Sequence, residues 1–439
     1  MKETQLSTTR ISIGNFMTTT RRTFLQSSTV LAAAMPLARA AHAAGGDQIK
    51  VGLIGCGGRG TGAAGQALQA DSNVKLVAMG DAFADRMEIC MKALQEKPEL
   101  AGKIDVPAER KFTGFDAFKK VTDLCDVVLL ATPPHFRPMH LKYAIEQNKH
   151  VFCEKPIAVD GPGVRDVMAT CELAKNKNLS IVSGLCLRYY NVFQETMKHI
   201  HSGDIGELRT LQANDYRGQI WVKPRTPQQT DMEYQMRNWY YFTWLSGDFN
   251  VEQHIHNLDL CAWAMKDQYP VKAVGMGGRI VRNGPEFGNI YDHFSVTYEY
   301  ANGTKLFSNT RQIRGCANDI SVSVVGTKGG GVMSENIGKH KFDFGGQPWR
   351  YEGKGNDFYQ TEHDELFASI RAGKPINNGD YMCKSTMLAI MGRMAAYTGQ
   401  QVTWEQAWNS KEDLSPPSYD WKQPLAEPKV AQPGITKLV

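Results

Sequence analysis

One glycine-rich turn constrains this chain more than anything else in it. Gly55-Cys56-Gly57-Gly58-Arg59-Gly60 follows directly on the apolar run Gln48 to Ile54 and precedes a helical stretch, Thr61 to Ala70. Between a strand and a helix, Gly55 permits a tight turn, Gly57 lets the backbone approach a pyrophosphate, and Gly60 lets helix and strand pack closely. The helix N-terminus offers unpaired N–H groups to phosphates. The whole turn, with Cys56, Gly58 and Arg59, is therefore a candidate dinucleotide contact. A second apolar strand, Val74 to Met79, ends near Asp81. A carboxylate about 20 residues past the turn binds a ribose 2′-OH and repels a 2′-phosphate, so NAD is expected over NADP. A helix N-cap is the competing role for Asp81, and the two can coexist.

The next strand, Asp126 to Ala131, is almost wholly apolar, as buried parallel strands are. It ends in Thr132-Pro133-Pro134-His135, where a doubly wound sheet presents its ligand site. Thr132, Pro133 and His135 are accordingly candidate cofactor contacts. A helix over Met139 to Asn148 leads to the strand His150 to Cys153, which ends in Glu154-Lys155-Pro156. Both Glu154 and Lys155 should lie beside the nicotinamide end of the site.

The glycine turn, Ala131-Thr132-Pro133-Pro134-His135 and Glu154-Lys155-Pro156, in this order and spacing, resemble the Gfo/Idh/MocA oxidoreductases. Gly326-Thr327-Lys328-Gly329, Glu362-His363-Asp364-Glu365-Leu366 and Ile370-Arg371-Ala372-Gly373-Lys374-Pro375 resemble that family's C-terminal part. The resemblance implies an α/β fold: an N-terminal Rossmann NAD(P)-binding domain, then a C-terminal α+β domain with a large, mostly antiparallel sheet. One sheet face would close over the nicotinamide; the other often joins subunits, implying a dimer or tetramer. It also implies that Lys155 binds the reacting hydroxyl and assists its deprotonation.

The residues support that second domain independently. Leu208 to Gln219, Val271 to Val281, Asp292 to Tyr300, Thr304 to Gln312 and Ser321 to Gly326 read as strands, several of them alternating. Asn302-Gly303 reads as a hairpin turn. Met387, Ile390, Met391 and Met394 form a stripe better suited to a core than to a site. The expected boundaries are 1–44 for an export signal, 45–178 for the cofactor domain and 179–439 for the second domain.

Gly247 to Asp259 holds the second chemical cluster. Ile255, Leu258, Ala262 and Met265 recur at helical spacing. Glu252 and His256, four apart, would share a helix face. The family commonly has Asp-x-x-x-His here, so this chain keeps the histidine and lengthens the acid. Glu252 could orient His256 as the acid does in a triad, making His256 the acid/base partner of Lys155. Were the segment extended, Glu252, His254 and His256 would share a face and could bind a metal; on a helix they would not, and no metal is expected. Asp259 fits a trailing acidic position, with a cap or salt bridge as the competing role.

Tyr189, in Arg188-Tyr189-Tyr190-Asn191, and Arg237 with Trp239, in Met236 to Trp244, are the candidate substrate contacts alongside His256. Flat aromatic faces with polar tips suit sugar rings, and Arg binds hydroxyls. Trp221 and Arg217 are weaker candidates. Such aromatics also fill cores and interfaces.

Thr20-Arg21-Arg22-Thr23-Phe24-Leu25, a short apolar stretch and the exits Ala38-Arg39-Ala40 and Ala41-His42-Ala43 resemble a twin-arginine export signal, read by a route that moves folded proteins to the periplasm. The apolar stretch is far short of the roughly 20 residues of a membrane span. Nine cysteines lack metal-ligand spacing, and a net charge of +5 does not argue for nucleic acid. An exported NAD enzyme must carry its cofactor with it. The expected function is oxidation of a sugar, sugar derivative or glycoside by a tightly bound, self-recycling cofactor. Glycoside hydrolysis or epimerisation through transient oxidation, and a non-catalytic sugar-binding role, are the alternatives.

Overall fold

The computed structural model describes residues 47–439, so the export signal read at Arg21-Arg22 lies outside the described residues. Two sheets organise the chain. The first has the strand order β3-β2-β1-β4-β5-β6, all parallel: β1 (Ile49–Ile54), β2 (Val74–Asp81), β3 (Lys111–Thr113), β4 (Val127–Leu130), β5 (His150–Cys153) and β6 (Ile181–Ser183). Central strands β4 and β5 are buried at every position, which is why they read as unbroken apolar runs. The order reverses between β1 and β4, and that crevice is where such a sheet holds its ligand.

The first sheet extends past residue 178, because β6 pairs with β5. The chain also returns to this layer much later. Ile181 donates to the Ile376 carbonyl at 2.7 Å, and Asn378 donates back to Ile181 at 3.0 Å. The helix Phe358–Ala372 buries Leu366, Phe367 and Ile370 in one core cluster with Ile49, Val51, Leu53 and Phe152. Arg371 fastens it to Asp71 through two bonds of 2.8 and 2.9 Å.

The second sheet runs β14-β13-β12-β11-β7-β10-β9-β8-β15, with β7 (Leu208–Arg217), β8 (Lys272–Gly278), β9 (His293–Glu299), β10 (Lys305–Gln312), β11 (Asp319–Gly326), β12 (Gly329–Met333), β13 (Lys341–Phe344), β14 (Gln347–Trp349) and β15 (Val402–Thr403). Only β7 and β10 pair in parallel; the other neighbours are antiparallel. Alternation sets its two faces. On β9 and β10, Phe294, Val296, Tyr298, Leu306 and Ser308 point inward and are buried, whereas Phe307 is exposed. The helices Ile255–Ala264 and Gly379–Thr398 supply the inner layer, and Met387, Ile390, Met391 and Met394 are core. No helix among the described residues is long and apolar enough to cross a membrane.

Candidate functional site

A cleft of about 600 Å³ opens at the crevice between β1 and β4. Gly55, Gly57, Gly58, Arg59, Asp81, Thr132 and Pro133 line it, as the sequence implies. Gly55 adopts φ +94°, and a Cβ there would sit 2.5 Å from the Ala131 carbonyl carbon. Gly60 lies under the turn, where a Cβ would stand 1.9 Å from the Gly55 oxygen. At Gly57 a Cβ would meet nothing within 4 Å; its backbone faces open space, as a diphosphate requires. Cys56 does not face the cleft: its side chain is buried, and its N–H donates to Asp81 Oδ2 at 2.7 Å. Phe83 donates its N–H to Asp81 Oδ1 at 3.0 Å. Each Asp81 oxygen keeps acceptor capacity for a ribose hydroxyl. Burial raises the Asp81 pKa, opposed by these two N–H bonds and by Arg86. The cleft fits NAD, the dinucleotide of this fold.

Two expected cofactor contacts are placed elsewhere. His135 is buried and turns outward to Tyr419, with Nε2 and the hydroxyl 2.8 Å apart; burial pushes its pKa down to about 4. His140 lines the cleft instead, stacked on Phe118 at 4.3 Å. His135 sits on the turn Pro134–Phe136 and His140 on the helix Arg137–Glu146 that follows it, and sequence spacing could not rank the two histidines. Glu154 is also buried and holds Arg59 in a 2.7 Å ion pair rather than lining the cleft. The ring of Tyr359 lies 4.8 Å from that guanidinium.

Lys155 stands directly beyond β5, with Nζ 2.9 Å from Glu252 Oε1 and 2.6 Å from the Glu252 carbonyl oxygen. Both side chains are only 12% exposed. Glu252 therefore engages the lysine, and no hydrogen bond joins it to His256. The reason is a break in the helix: Phe249–Glu252 and Ile255–Ala264 are separate helices, so the i,i+4 face is lost between them. His256 is half-buried, and its Nδ1 has no hydrogen-bond partner among the described residues. Burial, then the charges of Lys155 and Arg217, hold its pKa well below the usual range. It is a neutral imidazole at neutral pH.

From β7, sequence reasoning named Arg217 as a weaker candidate and missed its partner Asp215. Asp215 is buried and accepts from Arg217 Nε at 2.5 Å. Burial raises its pKa, opposed by Arg217 and Lys155. The charge of Arg217 acts on His256, and that of Glu252 on Tyr240. An Asp-x-Arg on one strand face was the available signal.

The substrate candidates separate. Tyr189 is buried in the core behind the first sheet and donates to Asn378 at 2.9 Å, so it does not reach the cleft. Trp239, Trp221 and Arg237 line the cofactor cleft. Arg237 bridges both domains, bonding Asp85 twice at 3.2 Å and Glu233 at 3.0 Å, with its guanidinium 3.9 Å from the Phe83 ring. It acts as a clasp across the cleft, with three of its five N–H donors on carboxylates. Asp259 takes a bidentate bond from Arg188 at 2.8 Å and one from Ser385 at 2.7 Å, a structural node.

His254 points into the second sheet, with Nε2 2.8 Å from Ser308 Oγ. Burial and Arg217 push its pKa down to about 3. The unfolded chain protonates this histidine near pH 6.5, whereas the folded chain does not, so its neutral burial costs stability as pH falls through that window. His254→Gln is expected to gain on the wild type by about 1.4 kcal/mol per pH unit between pH 6 and 4.5. Urea titrations of both proteins across that range measure the difference; parallel curves would show that His254 titrates normally.

Residues 49–184 match the oxidoreductase family with an NAD-binding Rossmann fold, and residues 193–331 match the Gfo/Idh/MocA C-terminal domain. Inositol 2-dehydrogenase of Rhizobium meliloti is 24% identical over 322 residues, 73% of this chain and 86% of that protein. The 2,7-anhydro-N-acetylneuraminate hydratase of Escherichia coli is 29% identical over 180 residues, 41% of this chain and 44% of that protein. The chain thus spans less than half the length of that hydratase. Among solved structures, the aldose-aldose oxidoreductase of Caulobacter crescentus has a TM-score of 0.63 at 19% identity, covering 81% of this chain and 99% of that one. That likeness is one of fold.

Proposed function

The chain belongs to the Gfo/Idh/MocA family of NAD-binding oxidoreductases, and from that premise we propose that it oxidises a hydroxyl of a sugar, sugar derivative or glycoside and retains its NAD through a cycle that returns the hydride. The carrying observation is Lys155, held just beyond β5 by two bonds to Glu252, with its charge acting on the neutral His256. Two Nζ donors of Lys155 are spent on Glu252; an ammonium has three. The third is free to hold the substrate hydroxyl oxygen and the negative charge that grows on it. His256, neutral and with Nδ1 unpartnered, takes the hydroxyl proton. Glu252 fixes Lys155 in place. The Gly57 to Gly60 turn, Arg59 and Asp81 hold the cofactor, which when bound supplies the hydride acceptor.

Relatives named for inositol and anhydro-N-acetylneuraminate support a polyhydroxylated substrate. The Arg21-Arg22 signal supports export to the periplasm and therefore a cofactor that is reset rather than exchanged. All nine cysteines are free, eight of them buried, which suits folding in a reducing compartment before export. On the outward face of the second sheet, Val274, Met276, Phe307 and Val325 are exposed, and the proposal extends to a homo-oligomer joined there.

The test is purification without added cofactor, followed by denaturation and mass spectrometry of any released nucleotide. Stoichiometric NAD is expected, with absorbance at about 340 nm rising on addition of the right sugar. Empty protein that binds NAD only when supplied would instead mark an ordinary dehydrogenase.

A further inference from the structure

The last 30 residues bear on the cofactor cleft without lining it. Residues 413–430 cross the surface between two anchors. At its start, Glu412 accepts from Arg393 at 2.5 Å and Leu414 donates to Asp160 at 3.1 Å. After it, Ala431 accepts from Tyr291 at 3.0 Å and Gly434 donates to Thr398 at 2.8 Å. In between, Trp421 packs on two rings of the cofactor domain, 4.4 Å from Phe115 and 5.2 Å from Phe83. Tyr419 stands 5.9 Å from Phe115 and bonds His135. Phe83 and Phe115 themselves line the cleft. Phe83 lies two residues past Asp81, and Phe115 two past β3, so both form its adenosine-side wall. The Arg237 clasp lies on the same Phe83 ring.

We propose that Trp421 is a positioning residue for the cofactor: the strap 413–430 wedges it behind Phe83 and Phe115, fixing the adenosine-side wall and slowing loss of the bound dinucleotide. This rests on the reading that NAD occupies the cleft, and it supplies that retained NAD with a physical latch. The wall cannot swing outward while an indole is packed behind it and both strap ends are tied. Release then requires the strap to lift, and the dissociation rate carries its signature more than the association rate does.

The experiment loads full-length protein with NADH and displaces it with excess ADP-ribose, following NADH fluorescence. Trp421→Ala is expected to release NADH about tenfold faster or more, and Trp421→Phe, which keeps a ring in the wedge, to stay within about twofold of wild type. Tyr419→Phe, which keeps the ring and loses the hydroxyl's bond to His135, serves if Trp421→Ala fails to fold; its release should be about threefold faster. A Trp421→Ala release rate within about twofold of wild type overturns the latch. So does a Trp421→Ala effect that phenylalanine leaves unrestored, because general loosening would then explain it. A wild type that sheds NADH within seconds would defeat the retained-cofactor reading while leaving the ratio between variants to judge the latch.

Discussion

Lys155→Met leaves NAD binding in place and lowers turnover about a thousandfold or more, the range lost with a positioned proton-transfer group. The side chain is 12% exposed and its ammonium has one donor left after Glu252 to hold the hydroxyl. Of two other cations whose charge reaches Glu252, Arg217 is occupied by Asp215 and Arg137 is buried. Methionine keeps the length of the stem and leaves Glu252 unpaired in a largely buried place, which costs about 3 kcal/mol. The double variant Lys155→Met/Glu252→Gln separates the two effects. It should recover most of the stability, read by urea denaturation, and none of the turnover. A single variant that still turns substrate over near the wild-type rate would remove Lys155 from the chemistry.

Gly60→Ala should weaken NAD by about a hundredfold, because overpacking here costs about 3 kcal/mol and falls on the turn that meets the diphosphate. The added methyl would stand 1.9 Å from the Gly55 carbonyl oxygen. That atom is backbone, so the helix must withdraw from the turn. Gly57→Ala is the counterpart. Its methyl meets only open space, so unfolding should be unchanged while NAD still binds poorly, the methyl standing where the diphosphate must approach. Calorimetric titration with NAD, beside thermal unfolding of the apoproteins, distinguishes the two. Wild-type affinity for NAD in both variants would mean that the turn does not hold the cofactor.

The parts of this site legible in the sequence are those set by neighbours in the chain. The glycine turn, Asp81 and the strand ends at Thr132 and Lys155 follow from spacing; the turn, Asp81 and Thr132 line one cleft, and Lys155 stands beyond β5, bonded to Glu252. What stayed hidden depends on partners far away. Glu252 was assigned to His256 because four residues on a helix share a face; the helix breaks, and Lys155, 97 residues distant, takes the carboxylate. Arg237 and Trp239 were read as sugar contacts from their chemistry, but Asp85 draws the arginine over the dinucleotide cleft. Tyr189 has the amphipathic profile of a sugar platform and instead satisfies its hydroxyl on Asn378 in the core. His135 sits on a short turn and His140 on the helix after it, and of the two His140 lines the cleft. In each case the residue type was informative and the direction of its side chain was set by a different part of the fold.

The helix Phe358–Ala372 has a consequence for how the molecule is made. It completes the hydrophobic layer behind β1 and β5, and Gln360 and Arg371 tie it to the helix that follows the glycine turn. A ribosome delivers the chain from its N-terminus, and domains generally fold as they emerge. Here the nucleotide-binding half must wait, one flank bare, until the final quarter of the polypeptide has been synthesised. The apoprotein therefore has its longest exposure to chaperones and proteases before the cofactor can be enclosed, and assembly ends, rather than begins, at the domain encoded first.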